Sequence, residues 1–153
     1  MSSPDEKLAE LGLKLPDVAK PVAAYVPAVR TGNLVYTSGQ LPLRDGALIA
    51  TGKNGDKVSP EVAVECAQQC ALNALAAIKA EIGDLANVKR IVKVVAFVAS
   101  TPDFTGQPQV ANGASELFGH VFGAAGQHAR SAVGVSVLPL DAPVEVEIIV
   151  EVA

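Results

Sequence analysis

The longest run of helical periodicity follows Ser59-Pro60-Glu61. Ala63, Cys66, Ala67, Cys70, Ala71, Ala74, Leu75, Ile78 and Ile82 recur at three- and four-residue spacings, and Gly83 closes the run. A capping serine, a proline in the first turn and a terminal glycine predict one helix across this segment. Many of its apolar positions are alanines, so it should lie close against a sheet. A second stripe, Val110, Ala114, Leu117, Phe118, Val121 and Phe122, ends at Gly123-Ala124-Ala125-Gly126. A short leading helix is read from Ser3-Pro4-Asp5-Glu6 to about Leu11, with Gly12 as its stop.

Elsewhere the pattern is extended. Tyr25 to Leu41 holds two such runs around a hairpin turn at Thr31-Gly32-Asn33. Asp45-Gly46 is a further turn before a short strand, Ala47–Ala50, and Thr51 to Lys57 is a loop. Val88 to Ser100 is a nearly unbroken run rich in β-branched residues, as expected when both faces of a strand are covered. Ser131–Leu138 and Val144–Val152 are the last two strands, split by Pro139-Leu140-Asp141-Ala142-Pro143.

After the leading helix the order is β-β-β-α-β-α-β-β, with no repeat or linker. This predicts an α+β sandwich, one mainly antiparallel sheet with two helices on one face. Residues 1–20 read as an N-terminal helical extension and 21–153 as a single domain. In the last strand Val146, Ile148, Val150 and Val152 alternate with Glu145, Glu147 and Glu151. Its apolar residues cannot all be hidden by the helices if it also has an exposed side, which leaves a sheet face too apolar for water. A covering subunit is expected, of undetermined number.

Composition narrows the functional classes. The 153 residues suit one domain, and half of them are hydrophobic. With no Trp, two Tyr and four Phe there is little stacking surface for bases. A net charge of −4 with scattered Lys and Arg argues against nucleic-acid binding, whose affinity comes mostly from neutralising phosphates. Cys66 and Cys70 are too few for a secreted disulfide framework, and the acidic start is not followed by the apolar core of a signal peptide. No apolar stretch nears the roughly 20 residues of a membrane helix. A cytoplasmic protein is the expectation.

Most familiar constellations are absent, including a P-loop and His-Glu-x-x-His. His120 and His128 have no third ligand nearby in sequence, so no metal site is expected. His120 reads as an exposed helix residue. Cys66 and Cys70 read as buried small side chains, since reactive thiols need an exposed electropositive setting. Arg130 stands between a glycine-rich loop and Ser131-Ala132-Val133-Gly134-Val135, where it could pair with a structural carboxylate or present its planar fork to a ligand carboxylate. Glu145 is the polar face of an edge strand or, if that face lines a subunit interface, a partly buried carboxylate able to orient a water.

Two segments carry a resemblance. Gly32-Asn33-Leu34-Val35-Tyr36-Thr37-Ser38-Gly39-Gln40-Leu41-Pro42 and Ala129-Arg130-Ser131-Ala132-Val133-Gly134-Val135, the latter with Leu138-Pro139 and Val144-Glu145-Val146-Glu147, resemble the two signatures of the RidA/YjgF-like family, the imine deaminases and endoribonuclease L-PSP-like proteins. Tyr25 has the family's spacing to Ser38, and Asn112, with Glu116 and Phe118, resembles the Asn of its second helix. The match runs from about Val22 to the end. It implies a chorismate-mutase-like sandwich assembled as a homotrimer around a sheet-lined barrel, with clefts between subunits. Similar members hydrolyse reactive 2-imino acids, including those derived from 2-aminoacrylate, to 2-keto acids and ammonia without a cofactor.

Carried over, Arg130 would hold the substrate carboxylate and Glu145 would position water and move its proton. Tyr25, Ser38, Gly39 and Asn112 would shape the pocket, with backbone groups at Ala132 in reach of substrate. Many members have Cys where Ala132 stands, and proline is common where His128 stands. These departures, with longer loops at Thr51–Lys57 and Gly123–Gln127, imply a divergent subgroup, while Arg130 favours a deaminase over the Arg-lacking members. The alternatives are a non-catalytic trimer that binds small carboxylates or acts as a chaperone, and an endoribonuclease or translation inhibitor.

Overall fold

A computed structural model describes residues 2–18 and 24–153. The boundary expected between residues 20 and 21, and the start of the resemblance near Val22, lie outside the described residues. Helix α1 (Pro4–Glu10) is followed by strands β1 (Ala28–Thr31), β2 (Leu34–Thr37), β3 (Leu43–Arg44) and β4 (Ala47–Leu48). Then come α2 (Pro60–Ile82), β5 (Val88–Ala99), α3 (Gln107–Phe122), β6 (Ala129–Val135) and β7 (Val144–Val152).

The helices begin and end where local chemistry says they should. The Ser59 hydroxyl accepts from the Val62 N–H, and Gly83, at φ 88°, stops α2. Ser3 does the same for Glu6 at the start of α1.

The main sheet has the order β1-β2-β7-β5-β6. All its pairings are antiparallel except β5 with β6, which are parallel and joined through α3. This is the α+β sandwich expected: α2 and α3 cover one face of a mainly antiparallel sheet. The sheet is open, with β1 and β6 as its edges, so the implied barrel is not closed within one chain.

Several expectations need correction, one of them that Glu145 lies on an edge strand: β7 is the central strand of the five. The third strand does not join the main sheet. Among the described residues Ala47–Leu48 pairs only with Leu43–Arg44, across a tight turn in which Asp45 (φ 53°) and Gly46 (φ 84°) are both left-handed. Two residues per strand are too few to pair further. Strand β6 begins at Ala129 and ends at Val135, so Arg130 lies inside it and its C-terminal limit falls three residues short of Leu138. The helices also hide more of β7 than anticipated. Val146, Ile148, Val150 and Val152 are all buried beneath them, leaving Glu145, Glu147, Ile149 and Glu151 half-buried on the open face.

The open face is nevertheless apolar in places. Its register rows put Tyr36 beside Ile149, Val95 beside Glu147, and Phe97 between Glu145 and Val133. Val29, Tyr36 and Val133 are large side chains that one chain leaves exposed. For the same reason β5 has only one buried face, formed by Ile91, Val94, Ala96 and Val98. Among the described residues no helix is long and apolar enough to cross a membrane.

The alanine-rich surface of α2 allows α3 to come very close. A Cβ at Gly113 would stand 2.2 Å from the Val64 carbonyl oxygen and 3.1 Å from the Ala67 Cβ. Replacing a helical Gly by Ala ordinarily gains about 1 kcal/mol. At Gly113 the collision with backbone outweighs that gain, and overpacking of this kind costs about 1–3 kcal/mol or more. Gly119, in the same helix, has nothing within 4 Å of such a Cβ. Gly113→Ala is therefore expected to lower the urea midpoint and Gly119→Ala to raise it; the same sign for both would refute the close-packing account.

Candidate functional site

The chemistry-bearing residues fall into two groups on opposite faces of the sheet. The first surrounds Arg130. In the β5–β6 register Arg130 sits beside Val94, and Val94 beside Ile148, so its side chain leaves the strand on the helix-covered face. There its Nη1 donates to Asn112 Oδ1 at 2.7 Å and to Ser115 Oγ at 3.2 Å, both on α3. Nη2 and Nε make no hydrogen bond among the described residues, and no carboxylate there pairs with the guanidinium. Of the two readings open for Arg130, the structural ion pair is thus not observed.

Behind this pair lies His128. Its Nε2 is 2.8 Å from Ser115 Oγ and its Nδ1 is 2.6 Å from the Gly126 carbonyl. The Phe118 ring meets it edge to face, with centroids 6.0 Å apart. Ala132 lies two residues beyond Arg130 on the same face, packed against the core.

The second group surrounds Glu145 on the open face. Gln40 bridges Val146, bringing the segment after β2 alongside the start of β7. Gly39 lies so near Glu145 that a Cβ there would be 2.8 Å from both Cδ and Oε1 of the carboxylate. The close approach that makes glycine necessary at position 39 is that of Glu145. Ser38 holds the preceding loop, its hydroxyl donating to the Val26 carbonyl at 2.6 Å and its N–H to that of Pro27 at 2.8 Å. Tyr25, at the start of that loop, is half exposed.

The wall bearing Ser38 and Gly39 is fixed from behind. Asn73 of α2 donates to the Leu41 and Leu43 carbonyls at 2.9 and 3.0 Å and accepts from Gln69, which in turn accepts from Arg44. Gln69 and Asn73 are buried, and their mutual bonds satisfy them.

Burial raises the Glu145 carboxyl above its ordinary pKa, and the like charge of Glu147 on the same face raises it further. Glu147→Gln is therefore expected to lower the Glu145 pKa, because it removes the like charge and leaves the burial. A carboxyl-carbon NMR titration would register the change; an unchanged or higher value would contradict it.

Within one chain Arg130 and Glu145 do not meet. They are two strands and three residues apart, about 14 Å at ordinary sheet spacings, with side chains on opposite faces. The fold brings Arg130, Asn112 and Ala132 together, and separately Glu145, Gly39, Ser38 and the Tyr25 loop.

The family model for endoribonuclease L-PSP matches residues 16–152. The chain belongs to this family, the RidA and YjgF-like proteins. Among L-PSP relatives, Protein TCP17 of Trypanosoma cruzi is 46% identical over 145 residues, 94% of this chain and 91% of that protein. The 2-iminobutanoate/2-iminopropanoate deaminase of Dermatophagoides farinae is 33% identical over 90% of this chain and 93% of its own length. The crystal structure of Agrobacterium tumefaciens protein Atu1372 superimposes with a TM-score of 0.93 at 45% identity, covering 98% of this chain and 92% of that one.

Other residues take quieter places in this L-PSP fold. His120 is a surface helix residue, as expected, but it also docks α1: its Nε2 lies 3.1 Å from both the Lys7 carbonyl and Glu10 Oε2. Cys66 and Cys70 are buried. Burial raises the Cys66 thiol to about 11 and also raises Cys70, so neither supplies a thiolate at neutral pH. Among the described residues no group of three or more His, Cys, Asp or Glu is placed to hold a metal ion. Ser115 was not singled out from the sequence. Its signal was the Asn112-x-x-Ser115 spacing, which puts two small polar residues on one face of the helix.

Proposed function

We propose that the protein is a hydrolytic deaminase of reactive 2-imino acids, working in clefts between copies of a homotrimer. The observation that carries this reading is the division of the site: an Arg130 fork near one sheet edge with no carboxylate partner among the described residues, and a partly buried Glu145 carboxylate on the uncovered face. A second copy laid on that face would supply the missing half of each cleft and cover Val29, Tyr36 and Val133. The identity to an imine deaminase lends further support.

In the proposed reaction Nη2 and Nε of Arg130 grip the substrate carboxylate side-on. Glu145 of the neighbouring copy accepts a proton as water oxygen bonds to the imine carbon, and the C=N π pair moves to nitrogen. The same carboxyl then protonates the amine nitrogen. The hydroxyl proton then passes through Glu145 to that amine, and the C–N bond breaks as the oxygen's electrons form the C=O bond, so that keto acid and ammonia leave and Glu145 is again ionised. The imine carbon is already electrophilic, so orientation of water and anion supplies most of the acceleration. A carboxyl with a raised pKa suits both proton transfers.

The test is keto-acid release from a 2-imino acid generated in situ by an amino-acid oxidase, alongside sedimentation of the protein. Accelerated hydrolysis by a trimer is expected. A monomer, or a trimer that binds 2-ketobutyrate without accelerating hydrolysis, would overturn the proposal.

A further inference from the structure

The geometry points to Ser115 and His128 as positioning residues that set the direction of the Arg130 fork and so the affinity for a carboxylate. The proposal deepens the reading of Arg130 as the anion anchor and rests on it.

The hydrogen-bond directions follow from one fixed point. The Gly126 carbonyl can only accept, so His128 Nδ1 must donate to it across 2.6 Å. In the neutral ring Nε2 is then an acceptor, and its only partner among the described residues is Ser115 Oγ at 2.8 Å. The Ser115 hydroxyl donates to that nitrogen, which turns its lone pairs toward Arg130 Nη1 at 3.2 Å. Asn112 Oδ1 takes the second Nη1 hydrogen at 2.7 Å.

Both hydrogens of Nη1 are thereby committed, and the guanidinium cannot rotate without breaking two bonds. Of the three N–H groups left over, that on Nε and one of the two on Nη2 lie along one edge of the plane, the bidentate arrangement for a carboxylate. His128 itself has little freedom. Its ring rests against Phe118, and a Cβ on Gly126 would stand 2.2 Å from the Phe118 carbonyl oxygen, so the acceptor is pressed beneath the end of α3.

Without this chain a serine beside a guanidinium could turn its hydroxyl elsewhere and the fork would sample other directions. The contribution is to binding rather than to bond making. It should act equally on ground state and transition state, raising KM when lost and leaving kcat nearly constant.

The experiment titrates wild type, Ser115→Ala, His128→Phe, the double variant, His128→Gln and Arg130→Ala with 2-ketobutyrate and with its neutral amide. His128→Phe keeps a ring against Phe118 but removes the acceptor, while His128→Gln restores an acceptor near Nε2. Ser115→Ala and His128→Phe are each expected to weaken 2-ketobutyrate binding by about three- to tenfold. The double variant should do no worse than either, as for links in one chain. His128→Gln should recover affinity, amide binding should stay unchanged, and kcat of Ser115→Ala should stay within about twofold of wild type.

Equal weakening for acid and amide, or a kcat collapse at constant KM, would overturn the positioning role. So would a loss at Arg130→Ala unaccompanied by loss at Ser115→Ala. The underlying readings fail differently. Indifference of 2-ketobutyrate to Arg130→Ala removes the anchor itself, whereas Arg130- and Ser115-dependent binding without imine turnover removes the deaminase and leaves the positioning chain intact.

Discussion

Glu145→Gln is expected to lower kcat for imine hydrolysis by about 10²- to 10⁴-fold, the usual worth of a positioned general base. The amide keeps the shape and loses the proton acceptor, so KM should change little. Stability separates this result from misfolding. The Glu145 carboxyl has a raised pKa in the fold, chiefly through burial. Such a group contributes stability that is fully present below the unfolded value, about 4.3, and is lost as pH rises through the folded value. Wherever it is ionised, Glu145 therefore works against folding. The Gln variant should be no less stable than wild type there, with the difference vanishing in acid. Near-native turnover by a folded Gln variant would remove Glu145 from the chemistry.

Arg130→Ala is the second large effect. It removes a charge-assisted bidentate contact worth about 2–4 kcal/mol, so kcat/KM should fall roughly 30- to 1,000-fold. Arg130→Lys should recover little of this, because an ammonium offers a point charge where a planar fork is needed. The two defects can also be combined. If the cleft draws Arg130 and Glu145 from different copies, mixing Arg130→Ala chains with Glu145→Gln chains after denaturation and reassembly should revive activity. With random mixing about a quarter of the clefts carry both native residues. No revival would mean that the pair acts within one copy, against the register that sets them on opposite faces.

Local features were the ones legible in the sequence. The span of α2 could be read because Ser59 and Gly83 act on their immediate neighbours, and β7 because alternation at Val144–Val152 needs no knowledge of its partners. A short strand is legible at Ala47–Ala50, of which Ala47–Leu48 forms, but nothing at that position says which strand it pairs with, and its hairpin stands apart from the main sheet. The same limit applied to the site. Arg130 and Glu145 were identifiable as residue types in suggestive places. Their separation by a sheet became visible only when the parallel β5–β6 pairing put Arg130 beneath α3. The pairing of Ser115 with His128 is illegible in the sequence for a related reason. A helical serine and a loop histidine 13 residues apart look unremarkable until tertiary packing closes 2.8 Å between them.

The Asn73 clamp has a consequence for how this crevice could accept bulkier guests. The Leu41 and Leu43 carbonyls are bolted to the longest helix by a side chain with almost no solvent around it. The Gln40 and Leu43 amides, which donate to the Val146 and Leu41 carbonyls, should exchange with deuterium more slowly than those of an open loop. One jaw is thus immobile. Widening for a longer side chain must come from the opposing jaw, and selection for altered scope should concentrate its changes there.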